Sequence, residues 1–255
     1  MKNTFTCEQV LQHIREIQLI ELDILHSFID ACDKMNLKYY ALCGTTLGAV
    51  RHHGFIPWDD DVDVGLLRKD YDYFIEHARE YLPTDIEIYS REHNPSLTIG
   101  FCKLKRKNDL GLELFVDVFP LDYYPEKNDD AFFRKKTHLN WRIMLANSIE
   151  APTWKQKVMV VLLMMRWPSV KSALREREKH FRSIPNSSLI ANLCGPYKKR
   201  EICPLEWLGE GIMLDFEGIS LRCPVKTDEY LTHLYGDYMK LPPEDQRIPK
   251  HFKEL

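Results

Sequence analysis

The spacing of apolar positions changes along the chain. Val10, Ile14, Ile17, Ile20, Ile24, Phe28 and Ala31 recur at steps of three and four, one face of a long amphipathic helix ending near Asn36. Lys38 to Cys43 (KYYALC) is short, aromatic and apolar and predicts a strand that Gly44 breaks. GTTLGAVRHHG then predicts a short helix closed by Gly54. Asp61 to Leu66 alternates polar and apolar positions, the pattern of a second strand. Arg68 to Leu82 returns to helical spacing through Tyr71, Phe74, Ile75 and Ala78, and Pro83 stops it. Ile86 to Ser90, Leu97 to Leu104 and Leu112 to Phe119 predict further strands, with Pro120 and Pro125 marking a boundary.

Beyond that boundary the texture is helical, over Ala131 to Ile149 and Trp154 to Phe181, with breaks at Pro152 and Pro168. GIMLDFEGISLRC predicts a β pair, Thr227 to Tyr235 a helix, and the segment from Leu241 an extended tail. The expected fold class is α+β: a mixed sheet flanked by helices over 1–125, a helical region over 126–185 and a small mixed cap over 186–255 that completes the active-site cleft.

Length and composition narrow the function. A chain of 255 residues that is 44% apolar can bury a sizeable core. A net charge of -3 without a basic stripe excludes an electrostatic footprint for nucleic acid. The seven cysteines are scattered with no C-x-x-C pair, which argues against zinc and for reduced thiols in a cytoplasmic protein. The longest apolar run, Val158 to Met165, is too short to cross a bilayer. Its Trp, Lys and Arg flanks suit either a core helix or a peripheral contact with the inner face of a membrane.

The chemistry concentrates in GFIPWDDDVDVGLL, with Asp59, Asp60, Asp61 and Asp63 inside five positions. Asp61 and Asp63 share a strand face, roughly 7 Å apart along the backbone. Strands normally avoid Asp. Convergent carboxylates on a rigid strand suit magnesium, which takes one or two carboxylates plus substrate phosphates. Asp117 lies within LFVDVFPLD, sharing a strand face with Phe115 and Phe119. A buried carboxylate there needs a cation beside it. If the two strands are neighbours, three carboxylates converge. Asp59 and Asp60 form an acidic lead-in that serves equally as turn caps or as site residues. Upstream, Gly44, Thr45 and Thr46 open a helix, a place where backbone N–H groups and hydroxyls meet phosphate. Arg51, Lys103 and Arg106 are candidates for charge-assisted phosphate contacts. Lys103 and Lys105 lie on one strand face, which also fits an ordinary solvated face.

Gly44-Thr45, then Asp61-Val62-Asp63, then Asp117 resembles the nucleotidyltransferase superfamily, with a somewhat longer interval between the Gly-Thr and Asp elements. CGTTLGAVRHHGFIPWDDDVDVGLLRKDYDYF resembles the LicD family almost position for position, and KLKRKN, FVDVFPLDYYP and DEYLTHLYGDYMKLPPEDQR extend the likeness. Thr46 stands where the family motif has Leu. The likeness covers roughly residues 10–125 and 215–250, with the middle looser; fukutin-related proteins share the central motif. The resemblance implies a nucleotidyltransferase-type fold and an enzyme that moves a phospho-alcohol, phosphocholine above others, from a CDP-alcohol donor such as CDP-choline. The acceptor it implies is a hydroxyl of a cell-surface glycan or its lipid-linked precursor, as in lipopolysaccharide, teichoic acid or capsule.

On this reading Asp61, Asp63 and Asp117 hold one or two magnesium ions, with manganese as the substitute, and Asp117 accepts the hydroxyl proton. Trp58, directly before the acidic cluster, is the favoured aromatic for a choline-like head. Two rivals remain: a nucleotidyltransferase that uses a nucleoside triphosphate, and a non-catalytic nucleotide- or glycan-binding protein on the same fold.

Overall fold

The computed structural model describes residues 7–107, 113–127, 129–147, 158 and 170–249. They form two compact units, one comprising 1–121 and 203–255, the other 122–202.

The first unit begins with α1 (Cys7–Lys34). Ile17, Ile24, Leu25, Phe28, Ala31 and Cys32 are fully buried on one side of it, the stripe that the periodicity predicts. Asn36 in the left-handed region (φ 54) and the Leu37 N–H donating to Cys32 O at 2.8 Å close the helix. Then follow β1 (Tyr39–Ala41), α2 (Cys43–His52), β2 (Val62–Leu67), α3 (Arg68–His77), β3 (Glu87–Tyr89), β4 (Cys102–Lys107) and β5 (Glu113–Tyr124). The strands run in the order β1-β2-β5-β4-β3, with β2 and β5 parallel and the other neighbours antiparallel. The unit closes with α6 (Leu205–Leu208), the hairpin β8 (Ile212–Phe216) and β9 (Ile219–Cys223), and α7 (Thr227–Tyr235).

Alternation gives the sheet two different faces. Val62, Val64, Leu66, Cys102, Leu104, Val116 and Val118 join Ile24, Leu25 and Phe28 of α1 and Phe74 and Ile75 of α3 in one core. Asp63, Lys103 and Asp117 belong to the other face. The core side fixes register, because a slip of one residue would drive Asp63 and Asp117 into that core.

Several boundaries differ from the sequence expectation. The strand expected over 97–104 begins only at Cys102; before it, Asn94 forms an Asx turn, its Oδ1 accepting from the Ser96 N–H at 3.2 Å. The strand expected to stop at Pro120 continues to Tyr124. Pairing between β5 and β4 ends at Val118, so the missing N–H of Pro120 lies beyond that ladder. His53 (φ 54), not Gly54, caps α2. Gly54 lies instead at a close approach, where a Cβ would displace the Glu217 carboxylate.

In the second unit α4 (Asp129–Asn147) packs along α5 (Val170–Phe181), followed by β6 (Leu189–Asn192), after which β7 (Ile202–Pro204) leads into α6. Tyr124, Phe132, Phe181, Ala191 and Leu193 form one cluster there and Ile143, Ala173 and Leu174 another. Most of the Val158 to Met165 run lies outside the described residues. Among the described residues, no helix is long and apolar enough to cross a membrane.

Candidate active site

The parallel register of β2 and β5 sets Asp63 opposite Asp117, and the antiparallel register of β4 sets Lys103 opposite Asp117. The three residues therefore form one row across neighbouring strands, at about 4.8 Å per step. Two like charges directly opposite each other destabilise a sheet unless a cation joins them. Lys103 does so from one side. Its Nζ donates to both Asp117 oxygens, at 2.7 and 3.0 Å, and lies 3.4 Å from the centroid of the Phe115 ring. Asp117 is buried, between Phe115 and Phe119 on the same face, and Phe119 packs on Phe101 with ring centroids 4.5 Å apart.

Asp61 lies one residue before β2 and so just outside the strand expected to carry it. It belongs to a cluster: Asp59, Asp60 and Asp61 can each present an oxygen within 4.8 Å of the other two. Asp60 is fully buried. The loop that carries them is tied to α1 by Gln18, whose amide donates to Ile56 O at 3.2 Å and Asp59 O at 3.0 Å.

The start of α2 meets this cluster. A Cβ on Gly44 would lie 2.9 Å from Asp59 Oδ2, so only glycine leaves that carboxylate in place. Thr45 Oγ1 accepts the Asp63 N–H at 2.8 Å, and the Leu42 N–H donates to Asp63 O at 2.9 Å. The Gly-Thr element thus positions Asp63 directly. Thr46, by contrast, is fully buried and donates its hydroxyl to Ala41 O at 2.7 Å.

Arg51 and Trp58 meet the C-terminal segment. Arg51 donates to Tyr238 O at 2.6 Å and to His52 Nε2 at 3.0 Å. Burial and then the Arg51 charge hold His52 below the ordinary histidine value. The Trp58 ring stands edge-on to His52 at 6.4 Å, and the Arg247 guanidinium lies 5.6 Å from its centroid. Arg106 is placed elsewhere. It lies on the Leu104 face of β4 and pairs with Asp23 and, at 2.9 Å, with Asp85. Of the residues singled out in the sequence, Gly44 lies beside Asp59, Thr45 is bonded to Asp63 and Lys103 to Asp117, while Thr46 and Arg106 make structural contacts; among the described residues, the carboxylates that come within ligand spacing of one another are Asp59, Asp60 and Asp61 rather than Asp61 with Asp63 and Asp117. Tyr39 and Tyr40 are core residues, the Tyr40 hydroxyl donating to Gly209 O at 2.6 Å.

One residue was missed by sequence reasoning. Glu21 occupies the buried stripe of α1 between Ile17 and Leu25, is fully buried, and has no hydrogen-bond partner at either carboxylate oxygen. Burial, then the charges of Asp61, Asp60, Asp59 and Asp117 in that order, push its carboxyl well above the ordinary range. The sequence signal was an acid at a core-facing helical position.

This donor set is all oxygen and strongly acidic, with orphaned oxygens at Glu21, and so fits a hard divalent cation.

Residues 36–155 match the family model described as the LicD/FKTN/FKRP nucleotidyltransferase domain. The chain is 29% identical to the lipopolysaccharide cholinephosphotransferase LicD of Haemophilus influenzae (strain ATCC 51907 / DSM 11121 / KW20 / Rd), over 94% of this chain and 97% of that protein. It is also similar to uncharacterised proteins of Rickettsia typhi (33% identical, covering 36% of this chain and 31% of the other) and Rickettsia prowazekii (36% identical, covering 36% and 35%). The matched domain holds both the acidic loop and the Asp63–Asp117–Lys103 row, and the similarity to the Haemophilus LicD protein runs over nearly the whole chain.

Proposed function

We propose that this LicD-type phosphotransferase moves phosphocholine from CDP-choline to a hydroxyl of a cell-surface glycan or its lipid-linked precursor, releasing CMP. The observation that carries the reading is the register that sets Asp63 beside Asp117, next to the acidic loop. The similarity to a lipopolysaccharide cholinephosphotransferase supports the choice of phosphocholine and of a glycan acceptor.

Asp61, Asp63 and Asp117 would hold magnesium. When bound, the ion supplies charge neutralisation for the donor diphosphate. The remaining work falls to the chain. Gly44 leaves room for the Asp59 carboxylate, and Thr45 fixes the Asp63 backbone. Lys103 adds positive charge at the edge of the row. Trp58 would receive the quaternary ammonium head in place of the Arg247 guanidinium that lies 5.6 Å from its ring centroid. The acceptor oxygen forms a bond to the phosphorus bearing choline, the bond from that phosphorus to the CMP oxygen breaks, and Asp117 takes the acceptor proton. Positioning and charge neutralisation carry most of the rate.

The test is CMP release from CDP-choline, CDP-ethanolamine, CDP-glycerol and CDP-ribitol, each with magnesium and a glycan acceptor. The reading expects CDP-choline to be preferred. Preference for another donor reassigns the alcohol; pyrophosphate release from a nucleoside triphosphate, with no CMP from any CDP-alcohol, defeats the reading.

A further inference from the structure

Glu21 is an anomaly in the fold. Every other residue of the fully buried stripe of α1 is apolar: Ile17, Ile24, Leu25, Phe28, Ala31 and Cys32. A methionine or leucine at position 21 would continue that stripe, whereas a carboxyl with both oxygens unpartnered costs stability whether it is charged or neutral. Residues that break a local rule at such a cost belong disproportionately to functional sites.

Its surroundings say which site. Gln18, one turn earlier, pins the loop bearing Asp59, Asp60 and Asp61 to α1. The carboxylates acting on Glu21 are those three and Asp117. Asp59, Asp60 and Asp61 can bring their oxygens within the spacing of direct ligands, and Glu21 is not of that group. A small hard cation keeps several of its waters, and those waters need acceptors. Carboxylates that accept from the inner shell orient it and tune its affinity.

We propose that Glu21 is an outer carboxylate of the cation site, accepting hydrogen bonds from cation-bound water on the α1 side and thereby setting the site's affinity. Its role is positioning, and it rests on the cation reading given above. The stability lost in the metal-free protein is recovered when the cation binds.

The test uses the full chain, stripped of metal, with manganese as the probe. Kd is measured by calorimetry or by the electron paramagnetic resonance of free manganese, and the metal-free melting temperature is measured alongside. Glu21→Gln and the apolar Glu21→Met, which continues the stripe if the first variant folds poorly, are compared with wild type. The expected result is a Kd weakened about 10–100-fold in both variants, with a metal-free melting temperature unchanged or raised. A Kd within threefold of wild type in the folded variants overturns the proposal. A lowered metal-free melting temperature at unchanged Kd also does so, assigning Glu21 to structure alone. Failure of the wild type itself to bind manganese or magnesium takes down the cation reading, an outcome separate from failure of the Glu21 role.

Discussion

Lys103→Met is the perturbation that best separates the site's electrostatics from its packing. Methionine keeps most of the side-chain length and removes the charge. The ammonium donates to both Asp117 oxygens, and the pair is largely withdrawn from water, with side-chain exposures of 18% and 7%. Removing one partner of a buried pair typically costs about 3–5 kcal/mol. The residual exposure of Lys103 places this case near the lower end, about 3 kcal/mol. At about 2–4 °C per kcal/mol for a chain of this size, the metal-free melting temperature falls by about 6–12 °C. Saturating magnesium changes the result if Asp117 faces a cation. The ion then takes over the charge that Lys103 balanced, and the penalty shrinks to about 1 kcal/mol, the scale of the lost cation–π contact with Phe115. Thermal denaturation of wild type and variant, each with EDTA and with magnesium, reads both numbers. An equal fall under both conditions refutes the reasoning, because it places Asp117 outside the reach of the cation.

Gly44→Ala puts a methyl group 2.9 Å from Asp59 Oδ2; we expect a loss in transferase turnover of about tenfold or more, the effect of ångström-scale misplacement, with a change in melting temperature of only a few degrees. Thr45→Val removes the acceptor of the Asp63 N–H and should lower stability in urea by about 1–3 kcal/mol while reducing turnover. Arg15 donates to Glu217 at 3.0 and 2.6 Å and, as the largest cause, holds its carboxyl below the ordinary 4.5. A depressed carboxylate contributes stability that is present above its unfolded value and lost as pH falls through the folded one. Wild type should therefore exceed Glu217→Gln at pH 7 by about 1 kcal/mol, given the exposure of Arg15, with the gap narrowing as pH falls below 4.5 through the depressed folded value; a gap that stays constant or widens as pH falls would contradict the assignment.

Much of this fold is written in local pattern. The α1 stripe, the β8–β9 hairpin and α7 follow from periodicity and turn residues. The face shared by Phe115, Asp117 and Phe119 follows from strand alternation alone. Adjacency of the Asp63 and Asp117 strands does not, because pairing between segments more than fifty positions apart is set by the whole core. That pairing also decides which basic residues matter. Lys103 and Arg106 lie in one short strand, but an odd separation sends them to opposite faces, and only register with β5 assigns Lys103 to Asp117. Thr45 and Thr46 are neighbours with different roles for a similar reason: helix geometry turns one hydroxyl to Asp63 and the other to Ala41. Glu21 stands among the apolar members of the α1 stripe, and periodicity alone does not separate a buried acid there from its neighbours.

The most direct measurement is turnover of CDP-choline with magnesium and a glycan acceptor by Asp61→Asn, Asp63→Asn and Asp117→Asn beside wild type. Each substitution keeps side-chain size and removes one negative charge. The account predicts that each lowers CMP release about 100-fold or more, in the range found for residues that hold or polarise the reacting groups, while each variant stays folded. Near-normal CMP release by Asp61→Asn, Asp63→Asn or Asp117→Asn, or full activity of the wild type in EDTA, would contradict it.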